Sequence, residues 1–408
     1  MAARELGRAG KTVTILEARD RCGGRIEPLP SGQFGYPAEG GAEFIHGAAP
    51  VTLALLGEAR IPLVPLQGTR WTVRDGAFSP DDAPPPHADR LREALVDLKT
   101  DVTVADFLER HFAAEHYTAL RRAVTRMVEG YDAADPARAS TLALRDEWMG
   151  RGLGTQARVV GGYGALIDFL AEECRRLDVS IRFGAAVNAI AVTGGRAVAR
   201  CAGDDIVAGD ALILAVPLPL LSDIALPRAL QDKVALANAG IGFGNVVKIL
   251  LRFATPWWAD ASGKNLADLS FLFSNALVPT WWTQHPAAPP VLTGWFAGPK
   301  ADRVAQLDED ALVEMGLASL AEIFGTSVSR LTTELVAARA INWGNDRFAR
   351  GAYSYATPDT RAAQSVLADP DGGIVHVSGE ALYRGHDIGT VEAALASGLE
   401  TARTVLTI

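Results

Sequence analysis

The stretch that most constrains the fold lies near the C-terminus, Ile374 to Leu395, IVHVSGEALYRGHDIGTVEAAL. It opens with apolar Ile374, Val375 and Val377, breaks at Gly379, crosses a polar loop and restarts at Gly389-Thr390 as a helix of small residues. A strand, a tight turn and a helix start in that order are the signature of an α/β connection. The free N–H groups and positive end of such a helix suit an anion such as a pyrophosphate. Gly and Thr serve equally to turn and cap an ordinary connection, so this stretch alone leaves both readings open.

The other end of the chain carries a complementary signal. Met1 to Leu6 reads as a helix, Gly7 to Lys11 as its exit and Thr12 to Leu16 as a buried strand rich in β-branched residues, with Glu17 directly after it. In dinucleotide-binding βαβ units an acidic residue at the end of the second strand accepts hydrogen bonds from the adenosine ribose. Arg19 and Arg25 then stand near a Gly23-Gly24 turn that lets backbone approach a phosphate closely.

Three runs, EARDRCGGRI (17–26), AEGGAEFIHG (38–47) and SGEALYRGHDIGTVEAAL (378–395), resemble the flavin-dependent amine oxidases. That group holds monoamine oxidase, the polyamine and spermine oxidases and the lysine-specific histone demethylase. The resemblance covers nearly the whole chain. It implies an α/β, Rossmann-like FAD-binding domain (1–50, 155–217 and 341–408) and an α+β substrate domain (51–154 and 218–340). The cofactor contacts it implies are Glu17, Arg19, Gly24, Arg25, Gly41, Ala42, Glu43, Val187 (through its backbone, to adenine), Trp343, Gly379, Glu380, Thr390 and Val391. One departure stands out. The family's first strand and G-x-G-x-x-G loop precede its first helix, and this chain starts at Met1 inside that helix, so the expectation is an FAD domain lacking both. The internal match Gly152-Leu-Gly154-Thr-Gln-Ala157 follows the polar run LRDEWMGR instead of a strand and reads as a loop.

The residue that points to chemistry is Lys248, in the run GNVVKILLRF, which otherwise reads as a buried strand. Burying an ammonium without a partner is costly. The residues alone favour an edge strand whose lysine reaches to water. The resemblance implies instead a lysine that bonds through water to the reactive flavin nitrogen and assists reoxidation by oxygen. INWGNDRFARGAYSYATP (341–358) resembles the family's tryptophan-to-tyrosine segment, which sets Trp343 against the flavin and makes Tyr353 a wall beside its reactive face. Monoamine oxidase faces that tyrosine with a second one; the matching residue here is Thr390, and in this respect the chain is more similar to the demethylase and polyamine oxidases. Where monoamine oxidase bonds its flavin through cysteine, this chain has Ala352, which implies noncovalent FAD. His46 matches a histidine near the polyamine oxidase substrate, although a structural hydrogen bond explains a loop histidine equally well. The implied catalytic set is Lys248, Tyr353 and Thr390, with His46 and Tyr353 touching substrate. The implied reaction oxidises an amine to an imine, which water hydrolyses, while oxygen becomes hydrogen peroxide.

Elsewhere, Pro50 to Pro86 reads as loops and short strands with a DDAPPP linker, and Ala88 to about Glu129 as helical, opened by Thr103 and Asp106 as a capping box. Pro256 to Trp258 and Trp281-Trp282 supply rings for packing or for an amine channel. Leu307 to Phe324 reads as an amphipathic helix. With 408 residues, 49% of them hydrophobic, the chain can bury a large core in about two domains. Three cysteines make no disulfide framework or metal spacing, no signal peptide is visible, and the apolar run Ala211 to Leu221 is short and broken by Pro217 and Pro219. A soluble cytoplasmic protein is expected. A net charge of −9 argues against nucleic-acid binding and mildly favours cationic ligands. Competing readings are a flavin-dependent desaturase or porphyrinogen oxidase, an amino-acid oxidase without the expected arginine, and an inactive, flavin-free chain. The loops that would select a particular amine carry no readable code.

Overall fold

The computed structural model describes residues 1–149, 156–203, 205–370 and 372–407. Its largest feature is a seven-stranded sheet in which Val246–Phe253 lies second from one edge. This strand pairs antiparallel on one side with Val291–Ala297 and on the other with Leu335–Asn342, which sets Lys248 opposite Trp295 and Ile341. It is therefore an interior strand, and an edge lysine reaching to solvent is ruled out. Leu269–Phe273, Thr280–Trp282, Thr69–Arg74 and Ala77–Pro80 complete the sheet.

Alternation along Val246–Phe253 divides its side chains between two faces. Val247, Ile249 and Leu251 join Trp281, Leu317 and Leu320 in the main core. That face is covered by the helix Glu309–Phe324, which Asp308 caps by accepting from Ala311 N–H and which Gly325 ends in a left-handed conformation. Gly316 lets this helix lie close, because a Cβ there would stand 3.2 Å from Ile249. Leu250, on the opposite face, packs with Leu29 and Phe34. Each large aliphatic side chain so buried contributes about 1.5–3 kcal/mol.

Two short parallel pairs make the α/β portion, Thr14–Leu16 with Ser180–Arg182 and Leu212–Leu214 with Val375–Val377. The helix Ala2–Arg8 packs against both Tyr163–Arg176 and Val391–Leu406. Gly398 permits the approach of the first and last of these, since a Cβ there would stand 3.2 Å from the Met1 Cβ.

A separate helical cluster comprises Ala88–Asp97, Val104–Phe112, Thr118–Gly130 and Thr141–Met149. Thr103 Oγ1 accepts from Asp106 N–H at 3.1 Å, and Phe107, Phe112 and Leu120 lie in its core. One expectation is corrected here. Pro50–Ala59 forms a helix, with Pro50 in its first turn, where sequence reading expects a loop. Among the described residues no single helix is long and apolar enough to cross a membrane. The sequence match at Gly152 to Thr155 lies outside the described residues.

Candidate active site

A cavity of about 2510 Å³ runs from Glu17 and Val187, past Gly24 and Gly379, to Lys248, Trp343 and Tyr353. It exceeds the roughly 300–1,000 Å³ of an ordinary small-molecule pocket. All sixteen of the sequence-nominated site residues border it.

At one end, Glu17 follows the Thr14–Leu16 strand and accepts Arg19 N–H at 2.8 Å through Oε1. Arg19 is already engaged, with its guanidinium on both carboxylate oxygens of Asp346 at 3.0 and 2.6 Å. Arg25 donates to Glu380 at 2.8 Å and to Ala352 O at 2.7 Å, and Glu380 also accepts from the Ser354 hydroxyl, so these two side chains brace the cavity wall. Gly24 and Gly379 have positive φ and open space where a Cβ would stand, so backbone is presented bare to the cavity. Thr390 N-caps the Val391–Leu406 helix by accepting Ala393 N–H at 3.1 Å, which aims the helix's first turn at the same space.

At the other end, Lys248 is 1% exposed. Its ammonium donates to Glu43 Oε2 at 2.8 Å and to Gly41 O at 3.2 Å, and lies 5.5 Å from the Trp282 ring centre. Glu43 is held by more than the lysine. Arg158 Nε, Gln284 Nε2 and Trp282 Nε1 donate to its carboxylate at 3.0, 2.9 and 3.1 Å. Burial opposes ionisation of Glu43, but Lys248 and Arg158 outweigh it and hold the carboxyl down at about 2. Trp343 is anchored by its indole N–H on Gly40 O at 3.1 Å. Tyr353 donates its hydroxyl to Tyr131 O at 2.7 Å, and burial raises its pKa well above the ordinary phenol value. His46 Nδ1 meets both Tyr131 Oη and Gln156 Nε2 at 3.0 Å, and burial lowers it to about 4, so its imidazole is neutral at pH 7.

Arg158, which pairs with Glu43 behind the cavity wall, and two carboxylates on that wall escape sequence reading. Arg158 is a charged residue in the Ala157–Val159 strand and carries the same signal as Lys248. Trp282 faces the cavity and Glu43, whereas Trp281 and Trp258 are core. Asp132 and Glu147 border the cavity too, both pushed up by burial, with Glu147 raised further by the neighbouring Asp132 charge. Nothing in the local sequence marks them.

A parallel α/β portion and a broad, largely antiparallel sheet, both bordering a cavity of dinucleotide-cofactor volume with a buried lysine in its wall, fit a nucleotide-cofactor oxidoreductase. The chain belongs to the flavin containing amine oxidoreductases, whose family model matches residues 1–406. Polyamine oxidase 2 of Arabidopsis thaliana is 27% identical over 87% of this chain and 75% of its own length. Human lysine-specific histone demethylase 2 is 25% identical over 99% of this chain, which spans about half (52%) of that relative's length. Among solved structures, putrescine oxidase in its wild-type form bound to putrescine superposes with a TM-score of 0.79 at 22% identity. Cyclohexylamine oxidase from Brevibacterium oxydans IH-35A gives 0.80 at 20% identity; each match covers 100% of this chain and 96% of the other. The residues present fit FAD. Bare backbone at Gly24 and Gly379 and the capped helix start suit its phosphates, Glu17 suits a ribose, and Gly41, Lys248, Trp343 and Tyr353 surround the space for a ring system.

Proposed function

We propose that this chain oxidises a small-molecule amine with noncovalently held FAD and oxygen, giving an imine and hydrogen peroxide. The observation that carries the reading is Lys248, an interior-strand ammonium pinned at the cavity floor within one wall with Tyr353 and Trp343. When bound, FAD supplies the two-electron acceptor for the C–H bond beside the amine nitrogen and returns the electrons to oxygen.

The protein's own groups do the rest. An ammonium has three donors. Glu43 and Gly41 O take two, which leaves one for a water on the cavity side. Glu43, ionised at neutral pH, is the counter-charge that fixes the Lys248 side chain in place as a hydrogen-bond donor. The Tyr353 hydroxyl is fixed on Tyr131 O, so its ring serves as a rigid wall and its suppressed acidity removes it as a base. Neutral His46 offers a polar contact that does not repel a cationic amine. The apolar surroundings favour the neutral amine that oxidation requires. Ala352, beside Tyr353, offers no nucleophile for a covalent flavin bond. Three free cysteines suit a reducing, cytoplasmic setting.

The test is the visible absorption spectrum of the protein supplied with FAD, before and after anaerobic addition of amines. Flavin bands that bleach with an amine support the proposal. Bands that no amine bleaches would refute amine oxidation, and a chain that retains no flavin would refute the cofactor assignment.

A further inference from the structure

Four side-chain donors converge on the Glu43 carboxylate. Lys248 Nζ holds Oε2 at 2.8 Å, Arg158 Nε and Gln284 Nε2 hold Oε1 at 3.0 and 2.9 Å, and Trp282 Nε1 reaches both oxygens at 3.1 and 3.2 Å. Lys248, Glu43 and Trp282 border the cavity, and Arg158 stands behind them, outside its lining. Arg158 is held on its other sides as well. It donates through Nη2 to Thr283 O at 2.8 Å, and its guanidinium lies 4.8 Å from the Phe44 ring centre. The side chains of Lys248, Glu43 and Arg158 are only 1%, 8% and 12% exposed, so water screens this group weakly.

Three charges therefore lie in a buried row of cation, anion and cation. The Lys248–Glu43 pair taken alone is neutral, and its carboxylate would cancel most of the field that the ammonium sends into the cavity. A second cation on the other oxygen of that carboxylate restores one net positive charge to the row. Holding Glu43 in place does not require it, because Gln284 and Trp282 already donate to Oε1. Glu39 is a further carboxyl on which Lys248 and Glu43 both act. Burial raises it to about 7 and Gly164 N–H occupies its Oε1, so below pH 7 it is mostly protonated and leaves the positive excess in place.

The two halves of an amine oxidation respond differently to such a charge. Dioxygen takes two electrons and two protons to become hydrogen peroxide, and the first electron makes it an anion. An amine that loses hydride becomes a cation instead. A fixed positive charge at the cavity wall favours the first change and not the second.

We propose that Arg158 is a positioning residue for the oxygen half of the reaction, acting through Glu43 to keep Lys248 in place with one net positive charge facing the cavity. This rests on the amine-oxidase reading and adds to it a residue that lies outside the cavity lining.

The experiment reduces the FAD-loaded wild type, Arg158→Met, Arg158→Gln and Arg158→Lys with dithionite. Each is mixed with oxygenated buffer at pH 6, and the return of the flavin bands is followed by stopped flow. Arg158→Met and Arg158→Gln, which differ in polarity but both lack the charge, are expected to react with oxygen about tenfold more slowly than wild type. Arg158→Lys keeps the charge and loses the fork between Glu43 and Thr283 O, and is expected to stay within about threefold. In the neutral variants the anaerobic rate of bleaching by an amine should fall by a smaller factor than the oxygen rate. An oxygen rate within twofold of wild type in the neutral variants overturns the proposal. Equal losses in Arg158→Lys and Arg158→Met overturn it too, since they would make Arg158 a structural clamp, as do equal losses in the two half-reactions. The second readout is the midpoint potential of the bound flavin. It is expected to fall in Arg158→Met by about 30 mV, the two-electron equivalent of a tenfold loss of preference for the reduced cofactor. An unchanged potential overturns the proposal. Because dithionite stands in for the amine, a protein that no amine reduces refutes the oxidase reading, while the oxygen rates and the potential still decide the role of Arg158.

Discussion

Glu43→Gln is expected to cost more stability than Lys248→Met, although each removes one partner of the same ion pair. In the wild type Glu43 answers two buried cations, Lys248 at 2.8 Å and Arg158 at 3.0 Å. Glutamine leaves both without a counter-charge, and breaking a buried pair from one side costs about 3–5 kcal/mol. Methionine at 248 fills most of the lysine's volume and leaves Glu43 with Arg158, Gln284 and Trp282. The loss is then one charged hydrogen bond, about 1.5–3 kcal/mol. The pH dependence gives an independent magnitude. Glu43 is held at about 2 from an ordinary 4.5, worth about 3 kcal/mol at 1.36 kcal/mol for each tenfold change in acidity. Because the folded value is the lower one, this stabilisation is full above about pH 4.5 and fades as pH falls toward 2. Urea unfolding at pH 7, read as midpoint times slope, checks the order. The reasoning fails if Lys248→Met is the more damaging variant, or if Glu43→Gln costs less than about 1 kcal/mol.

Three further outcomes follow from the structure. Glu39 is buried and raised to about 7, chiefly by desolvation, so the folded state favours its protonated form and the wild type loses stability as pH rises through 7. Glu39→Gln, which keeps an oxygen for Gly164 N–H, should melt higher than wild type at pH 8, with the gap closing at pH 5. Tyr353→Phe keeps the wall and loses only the bond to Tyr131 O, so kcat/KM should stay within about tenfold, while Tyr353→Ala should lose considerably more in the same steady-state assay. Gly316→Ala places a methyl 3.2 Å from Ile249, so it should not gain the roughly 1 kcal/mol that alanine usually adds over glycine in a helix interior, as read by urea unfolding.

How much of this was legible in the sequence depends on how far each partner lies. The Thr103 cap and the Val391–Leu406 helix start are local, and Thr103 and Thr390 each cap within three residues of themselves. Lys248 stood out because a cation interrupts an apolar run, yet its partner Glu43 is 205 residues away and periodicity cannot supply it. The Pro50–Ala59 helix was illegible for the same reason. Its own N-cap, Ala49, has no side-chain acceptor, and its first N–H groups are met by Glu392, some 340 residues downstream. Asp132 and Glu147 are ordinary surface-type residues in a one-dimensional reading, and only burial beside a cavity gives them meaning.

The parallel pairing of Thr69–Arg74 with Leu269–Phe273 joins segments 200 residues apart at Thr69 and Leu269. Closing so long a loop costs chain entropy before any contact repays it, and sheets built from such pairings form slowly. During synthesis, at roughly 5–20 residues per second, the early strands wait at least some ten seconds for their partner. Over that interval Thr69–Arg74, with its neighbour Ala77–Pro80, is a short hairpin with an unfilled edge. Yield of soluble protein should therefore respond to growth temperature and chaperone supply more than the stability of the finished fold suggests.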